Sequence, residues 1–198
     1  MIASVATAVI AGMALYAWKR EFIGKKKIEL AAEIMTAVID FQDNLIEARL
    51  NTTTQIEQSE IKKWLEDVNS KKQTIPNAML WPIYPDRLQL LSPIHRLNQN
   101  FAKSEKFTSI FNKSLIYFGD DLYKLLVELY SFLRKIRYAS EMLYEDPTNK
   151  EFQQIAFSDN DKDEISKRIF AIGEEIKLNL EPLYKDQQTK WKKLAKAS

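Results

Sequence analysis

Three aspartates at alternate positions, Asp159, Asp161 and Asp163, form the pattern closest to a known chemical site. The D-x-D-x-D spacing opens a calcium-binding loop of the EF-hand type, in which carboxylate oxygens surround the ion. Such a loop needs glycine at its sixth position and glutamate at its twelfth, whereas this chain has Glu164 and Phe170 there. The pattern therefore favours an acidic helix start, and we expect no metal ligand here.

The sequence lacks the residue patterns of other catalytic sites. His95 is the only histidine, so it cannot supply the paired histidines of a zinc or di-iron site, and we expect it at the surface or half-buried. The four glycines are far apart, which excludes a phosphate-binding loop. Adjacent acids such as Glu29 and Glu33, or Glu174 and Glu175, fall in helical sequence, where carboxylates are normally solvated. We expect no catalytic residue and no cofactor, and interpret the protein as not an enzyme.

The positive charge is concentrated near the N-terminus. The chain carries +2 overall, of which residues 19–27 contribute +4, so residues 28–198 carry −2. Arg134, Lys135 and Arg137 form a short basic run that could meet lipid headgroups, RNA or an acidic partner, although a solvated helix face is the simpler interpretation. A folded domain without a basic surface predicts no nucleic-acid partner. The sequence identifies no small-molecule substrate.

The elements that position these residues begin with an uncharged run, residues 1–18. As a helix this run would be about 27 Å long, close to the hydrocarbon thickness of a bilayer. We predict a single transmembrane helix and assign the anchor to residues 1–24. Basic residues concentrate on the cytoplasmic side of a span, so we expect the N-terminus outside and residues 25–198 in the cytoplasm. The predicted membrane-interface residues are Trp18, Lys19, Arg20, Lys25, Lys26 and Lys27.

Two other interpretations fit the N-terminal run less well. A cleaved signal peptide carries its basic residues before the apolar core, whereas here they follow it. A buried helix of a soluble protein rarely needs a basic collar at one end. Within the run, Ser4, Ala8 and Gly12 are spaced by four, which is the small-residue pattern of membrane helix pairing, although an alanine-rich helix also produces it by chance.

The remaining sequence predicts an all-α fold in which the anchor continues into a mainly antiparallel bundle of about four long helices. Apolar residues recur every three or four positions from residue 28 onward, and glycine and cysteine are rare or absent. Gly24 alone should not stop the first helix. Thr54 and Glu57 predict a capping box. Ser92 is interpreted as an N-cap before Pro93, and it opens a predicted helix that runs to Phe118.

Three further signals lie in the second half of the chain. Gly119 predicts a tight turn between two helices, although the apolar stripe runs through it in phase and would allow one continuous helix. Asp161 and Glu164 are interpreted as an acidic capping box for the last helix. Pro182 should kink that helix near its middle.

Residues 70–93 contain four prolines and several aromatic side chains, which predicts an extended connecting segment. Such an apolar segment either covers the open end of the bundle or docks a partner. Trp81 and Tyr84 are the candidate partner contacts, since these residue types most often dominate interface energies.

The last predicted helical turn is basic, with Lys190, Lys192, Lys193 and Lys196 around Trp191. Lysine at a helix C-terminus complements the helix dipole, and a contact with anionic lipid is the alternative.

The sequence favours one function and leaves a second open. The first is a membrane-anchored, non-enzymatic helical interaction protein that serves as a subunit or adaptor of a membrane-associated complex. Its expected partners are membrane lipid and either a protein partner or further copies of the chain. The alternative is a membrane effector, toxin-like or defensive, whose cytoplasmic bundle controls clustering of the transmembrane helix.

Overall fold

The computed structural model describes residues 2–73, 81–158 and 163–194, and in these ranges the side chains of residues 2–12, 72–73 and 184–194 are not described. The described residues form helices and no β-strand. The elements in chain order are α1 (Ile2–Ala48), α2 (Gln55–Gln73), a 3₁₀ helix (Pro85–Leu91), α3 (Ser92–Gln99), α4 (Phe101–Ser109), α5 (Phe111–Phe118), α6 (Asp120–Glu145), α7 (Lys150–Ala156) and α8 (Glu164–Leu194). The predicted all-α class is confirmed.

Helices α1 and α8 are antiparallel, as two cross-contacts show. Gln42 Nε2 donates a hydrogen bond to the carbonyl of Ile169 at 2.6 Å, and Arg49 Nη2 lies 3.0 Å from Asp163 Oδ1. A step forward along α1 therefore corresponds to a step back along α8. This register places the end of α1 beside the start of α8.

The α3–α5 segment is antiparallel to both α1 and α6. Lys106 and Lys113 form ion pairs with Asp40 and Glu33 of α1, at 2.8 and 2.9 Å. On the α6 side, Arg137 donates to Asn98, and the ring of Phe111 meets the edge of Tyr130 at 5.8 Å. Four layers, formed by α1, by α3–α5, by α6 and by α8, thus alternate in direction and make an antiparallel bundle.

The core is formed by one face each of α1, α6 and α8, with α4 closing it. Phe41 and Phe107 stack at its centre with ring centroids 4.1 Å apart. Two smaller clusters join α2 and the 3₁₀ helix to Tyr144, and α7 to Leu143. The buried positions of α1 follow the periodic stripe of the sequence: Leu30, Ala31, Ile34, Ala37, Val38, Phe41, Leu45 and Ala48.

The prediction of a single helix from Ser92 to Phe118 is wrong. The helix is interrupted at Asn100, where φ is −98° and ψ is 25°, and again at Ile110. Ser92 is not an N-cap, because it lies inside a helix that continues from the 3₁₀ turn, and its hydroxyl donates to the Gln89 carbonyl. The apolar stripe is continuous through both breaks, so periodicity does not reveal them.

The turn at Gly119 and the continuity at Gly24 are confirmed. Gly119 has φ 84°, a backbone conformation that favours glycine, and it separates α5 from α6. Helix α1 passes Gly24 without interruption. Pro182 lies inside α8, and the kink there stays a prediction.

The two predicted capping boxes have different outcomes. Thr54 Oγ1 accepts a hydrogen bond from the Glu57 backbone at 3.2 Å, which confirms Thr54 as the cap, whereas the Glu57 carboxylate accepts from Arg96. For the last helix the cap is Asp163, whose Oδ1 accepts from the backbone of Ile165 and Ser166 at 2.9 and 3.0 Å. The interpretation of Asp161 and Glu164 as the box is wrong because the helix begins at Glu164 itself. Asp159 and Asp161 lie outside the described residues.

The connecting segment is more helical than the sequence predicted. Helix α2 continues to Gln73, and residues 85–91 form the 3₁₀ helix with Pro85 at its first turn. Proline is compatible with a first helical turn, where its missing N–H has no partner to lose. Within the described part of residues 70–93, only residues 81–84 are extended.

Across the described parts of the chain, no helix is both long and apolar enough to span a bilayer. The predicted pairing face of Ser4, Ala8 and Gly12 belongs to side chains outside the described residues. The transmembrane helix therefore stays a prediction from the sequence.

Candidate functional site

The N-terminal part of α1 extends beyond the bundle core. Leu30 is the first described side chain of α1 that is buried, and residues 13–29 are exposed or only partly covered. Trp18 and Tyr16 are 62% and 70% exposed. The exposed large apolar residues of this segment are Met13, Leu15, Tyr16, Trp18, Phe22 and Ile23.

These apolar side chains surround the helix instead of forming one stripe. At about 100° per residue, Met13, Leu15 and Tyr16 point in three different directions. A helix that docks on one protein surface needs a single apolar face, whereas a helix surrounded by lipid is apolar all round.

The predicted membrane-interface residues lie together on this segment. Trp18 stacks on Phe22 with ring centroids 5.6 Å apart. Lys25 pairs with Glu21 at 3.0 Å and Lys26 with Glu29 at 3.4 Å, both in exposed positions. Exposed pairs of this kind contribute little stability, so the collar remains available to other charges.

The candidate partner contacts Trp81 and Tyr84 differ in their surroundings. Trp81 packs between Trp64, at 6.4 Å between centroids, and Tyr144, at 6.1 Å, and its backbone exchanges two hydrogen bonds with the side chain of Asn69. Tyr84 is 40% exposed. The contacts of Trp81 favour the role of covering the bundle, whereas the Tyr84 ring is partly exposed, with Arg87 over it and Tyr144 beside it.

Arg49 makes six side-chain hydrogen bonds to described residues and was not among the residues predicted from the sequence. It is fully buried, and its guanidinium forms a two-point ion pair with Asp163. It also donates to the carbonyls of Gln154, Ile155 and Phe157 at 2.8–3.1 Å. These carbonyls belong to the C-terminal end of α7, which has no helical partner for them. Arg49 thus joins the ends of α1 and α7 to the start of α8.

The Asp163 carboxylate compensates the positive charge of Arg49, although Asp163 is itself partly buried. Partial burial opposes its ionised form, but hydrogen bonds from Ser158, Arg49 and Ser166 together outweigh this effect and hold the pKa of Asp163 well below its ordinary value. The carboxylate is therefore fully ionised and fully engaged. It is not available as a proton donor or a metal ligand.

A second arginine donates to the carbonyls of Glu47 and Ala48 at the end of α1, both at 3.4 Å. Arg96 forms a two-point ion pair with Glu57, at 2.7 and 2.9 Å, which ties α3 to α2. It also donates to the Leu50 carbonyl at 2.6 Å and to the carbonyl of Thr52. A cation at a helix C-terminus stabilises the helix dipole.

A groove of about 830 Å³ lies at this same end, between the α1–α2 connection and α7. Amides and hydroxyls dominate its lining, and Lys150 is its one basic residue. Among the described lining residues the single carboxylate, Asp163, is already paired with Arg49. The part of the groove that the structure describes therefore offers no free acid and base for proton transfer.

The remaining chemistry candidates are structural in the part of the chain that the structure describes. His95 is 6% exposed, more buried than the sequence predicted, and burial lowers its pKa against the opposing effect of Glu60 and Glu57. Its ring lies 6.1 Å from that of Trp64. No group of three metal-ligating residues occurs among the described residues. Of the basic run, Lys135 lies 4.8 Å over the Phe132 ring.

Comparisons with protein-family models, curated proteins and solved structures found no match for this chain.

Proposed function

We propose that the protein is a membrane-anchored, non-enzymatic helical interaction protein, a subunit or adaptor of a membrane-associated complex. The observation that carries this proposal is the exposed apolar surface of α1 around residues 13–23, beyond the bundle core. Apolar side chains on all sides of an isolated helix are unfavourable in water, because each removes hydrogen-bonding freedom from the solvent around it. A lipid bilayer removes this cost.

The sequence before residue 13 supports the same conclusion. The run without charge begins at Met1 and ends at Trp18, which is long enough for a span of minimum length. The helix continues from this run into the bundle without a break, so the anchor and the domain form one element. The basic collar favours a cytoplasmic location for residues 25–198.

The interaction role rests on surfaces. Tyr84 offers an exposed aromatic ring at the far end of the bundle from the anchor, where Arg87 stacks over it at 4.7 Å. Tyrosine and arginine are enriched among the residues that dominate protein interfaces. In the anchor, Ser4, Ala8 and Gly12 would allow a second copy or a partner helix to approach closely. We propose a protein partner or a homo-oligomer.

Alkaline carbonate extraction of expressing cells tests the anchor. The full chain should stay in the membrane pellet, and a variant lacking residues 2–24 should move to the supernatant. The matched control is a variant in which Lys25, Lys26 and Lys27 are replaced by glutamine, because it removes surface charge and keeps the apolar run. That control should remain in the pellet, and a full chain that dissolves without detergent would contradict the proposal.

A further inference from the structure

The register between α1 and α8 determines which part of α1 lies beside the C-terminal end of α8. Arg49 lies beside Asp163, and Gln42 lies beside Ile169 and Gly173. Counting back along α1 and forward along α8 from these contacts brings residue 30 level with about residue 183. Leu30 is the first buried residue of α1, and Leu183 packs against the edge of the same core.

Both helices continue past this end of the bundle, and α1 continues farther than α8. Helix α8 extends through residues 184–194, about 16 Å at 1.5 Å per residue. The same distance along α1 leads from residue 29 to residue 19. The last turn of α8 therefore ends level with Trp18 and Lys19, where the apolar run meets the basic collar.

The charges of the molecule are separated along the same axis. Residues 19–27 carry +4, and residues 184–194 carry four lysines and one aspartate, a net charge of +3. The chain between them, residues 28–183, carries −6, with 25 acidic and 19 basic residues. Two positive helical segments at one level, residues 19–27 of α1 and the end of α8, repel each other in water, and an anionic surface facing both would relieve this repulsion.

We propose that the C-terminal turn of α8, residues 190–194, binds the anionic headgroups of the membrane that holds the anchor. This inference rests on the proposed membrane anchor and adds a second contact and a lipid class to it. Lys190, Lys192 and Lys193 supply the charge, and Trp191 is of the type that favours the membrane interface. The anchor and the C-terminal turn of α8 together hold the bundle at a fixed distance from the bilayer. The Arg49 end lies about 45 Å from Lys19 along α1.

The absence of cysteine allows a direct test with single-cysteine variants of the full chain. Tyr16→Cys reports the anchor, Leu194→Cys the end of α8, and Glu151→Cys an exposed site at the far end of the bundle. Each variant carries a fluorophore and is reconstituted in vesicles of phosphatidylcholine, with or without phosphatidylglycerol. Headgroup-attached nitroxide lipids then quench the labels that lie near the bilayer surface.

The proposal predicts quenching at positions 16 and 194 in vesicles with phosphatidylglycerol, and none at position 151. Changing Lys190, Lys192 and Lys193 to glutamine should lower the ratio of docked to undocked α8 ends roughly 100-fold, since each lysine near an anionic surface contributes a factor of about five. Position 16 should stay quenched in that variant.

Two results would overturn the inference while the anchor stands. One is an unquenched label at position 194 when position 16 is quenched. The other is quenching at 194 that is equal in neutral and anionic vesicles and unchanged by the glutamine substitutions. An unquenched label at position 16 would overturn the proposed anchor together with this inference.

Discussion

Arg49 and Asp163 form a two-point ion pair, with Nη2 3.0 Å from Oδ1 and Nη1 3.2 Å from Oδ2. The pair joins the last turn of α1 to the first turn of α8, and the fully buried guanidinium has no contact with solvent. Because the same carboxylate caps α8, one side chain both compensates the arginine and starts the helix. We therefore expect the stability of the bundle end to depend on this pair.

Replacing Asp163 by asparagine should destabilise the protein strongly. Asparagine keeps the capping ability but removes the charge, which leaves the buried guanidinium of Arg49 uncompensated, at a cost of about 3–5 kcal/mol. Urea unfolding in mild detergent, followed by circular dichroism, measures this loss. Glu164→Gln is the matched control, since Glu164 is exposed and pairs only with Lys167, and it should change stability by less than about 0.5 kcal/mol. Equal midpoints for the two variants would contradict the proposed role of the pair.

Stability should fall with acidification in two separate pH ranges. Burial lowers the pKa of His95 from 6.5, so the unfolded chain binds a proton more readily than the folded one, and stability decreases as the pH falls below about 6.5. The pKa of Asp163 is also lowered, from 3.8, and its contribution is lost only below about pH 4. Melting temperatures across pH 7 to 5 should therefore decline in the native chain and less so in His95→Gln. An identical decline in both would show that another group titrates.

Alanine should have opposite effects at two glycines of long helices. A Cβ at Gly173 would overlap the side-chain amide of Gln42, which also donates to the Ile169 carbonyl, so Gly173→Ala should cost about 1–3 kcal/mol. At Gly24 nothing lies within 4 Å, and Gly24→Ala should be neutral or stabilise by up to about 1 kcal/mol through helix propensity. Chemical denaturation of both variants gives the comparison. A stable Gly173→Ala protein would mean that the two helices do not approach closely there.

Alanine substitutions at Trp81 and Tyr84 should distinguish a loss of stability from a loss of partner binding. Trp81→Ala removes a ring packed between Trp64 and Tyr144, and we expect a loss of about 3 kcal/mol and a melting temperature lowered by several degrees. Tyr84→Ala removes an exposed ring and should leave the melting temperature close to that of the native chain while weakening recovery of a partner in pull-downs. A Tyr84→Ala protein that recovers the partner undiminished would remove this ring from the proposed interface.

The parts of the fold predicted from the sequence were those with strong local chemistry. Gly119 stops one helix because few other residues adopt its φ, and Thr54 caps the next because its hydroxyl reaches the following turn. The bundle class followed from apolar spacing along α1, α6 and α8. The breaks at Asn100 and Ile110 were missed because the apolar stripe continues through both and only the backbone angles change.

Arg49 could not be found from the sequence for a different reason. Its neighbours Ala48 and Leu50 resemble an ordinary helix end, and the partners that bury it come from residues 154–166, more than one hundred positions away. A charged residue that follows Leu45 and Ala48 on the buried face of α1 is the local signal. The same long-range dependence applies to Asp163, because its carboxylate is paired with Arg49 at the end of α1.

The most direct test of the account is the accessibility of two single-cysteine variants in intact cells. Ile2→Cys lies at the outer end of the predicted anchor, and Glu151→Cys lies at the far end of the bundle. A membrane-impermeant maleimide should label position 2 in intact cells and position 151 only after the cells are opened, because the proposed span would leave the bundle in the cytoplasm. If position 151 is labelled in intact cells, or if neither position is labelled before lysis and the protein is recovered without detergent, the proposed anchor and its orientation are contradicted.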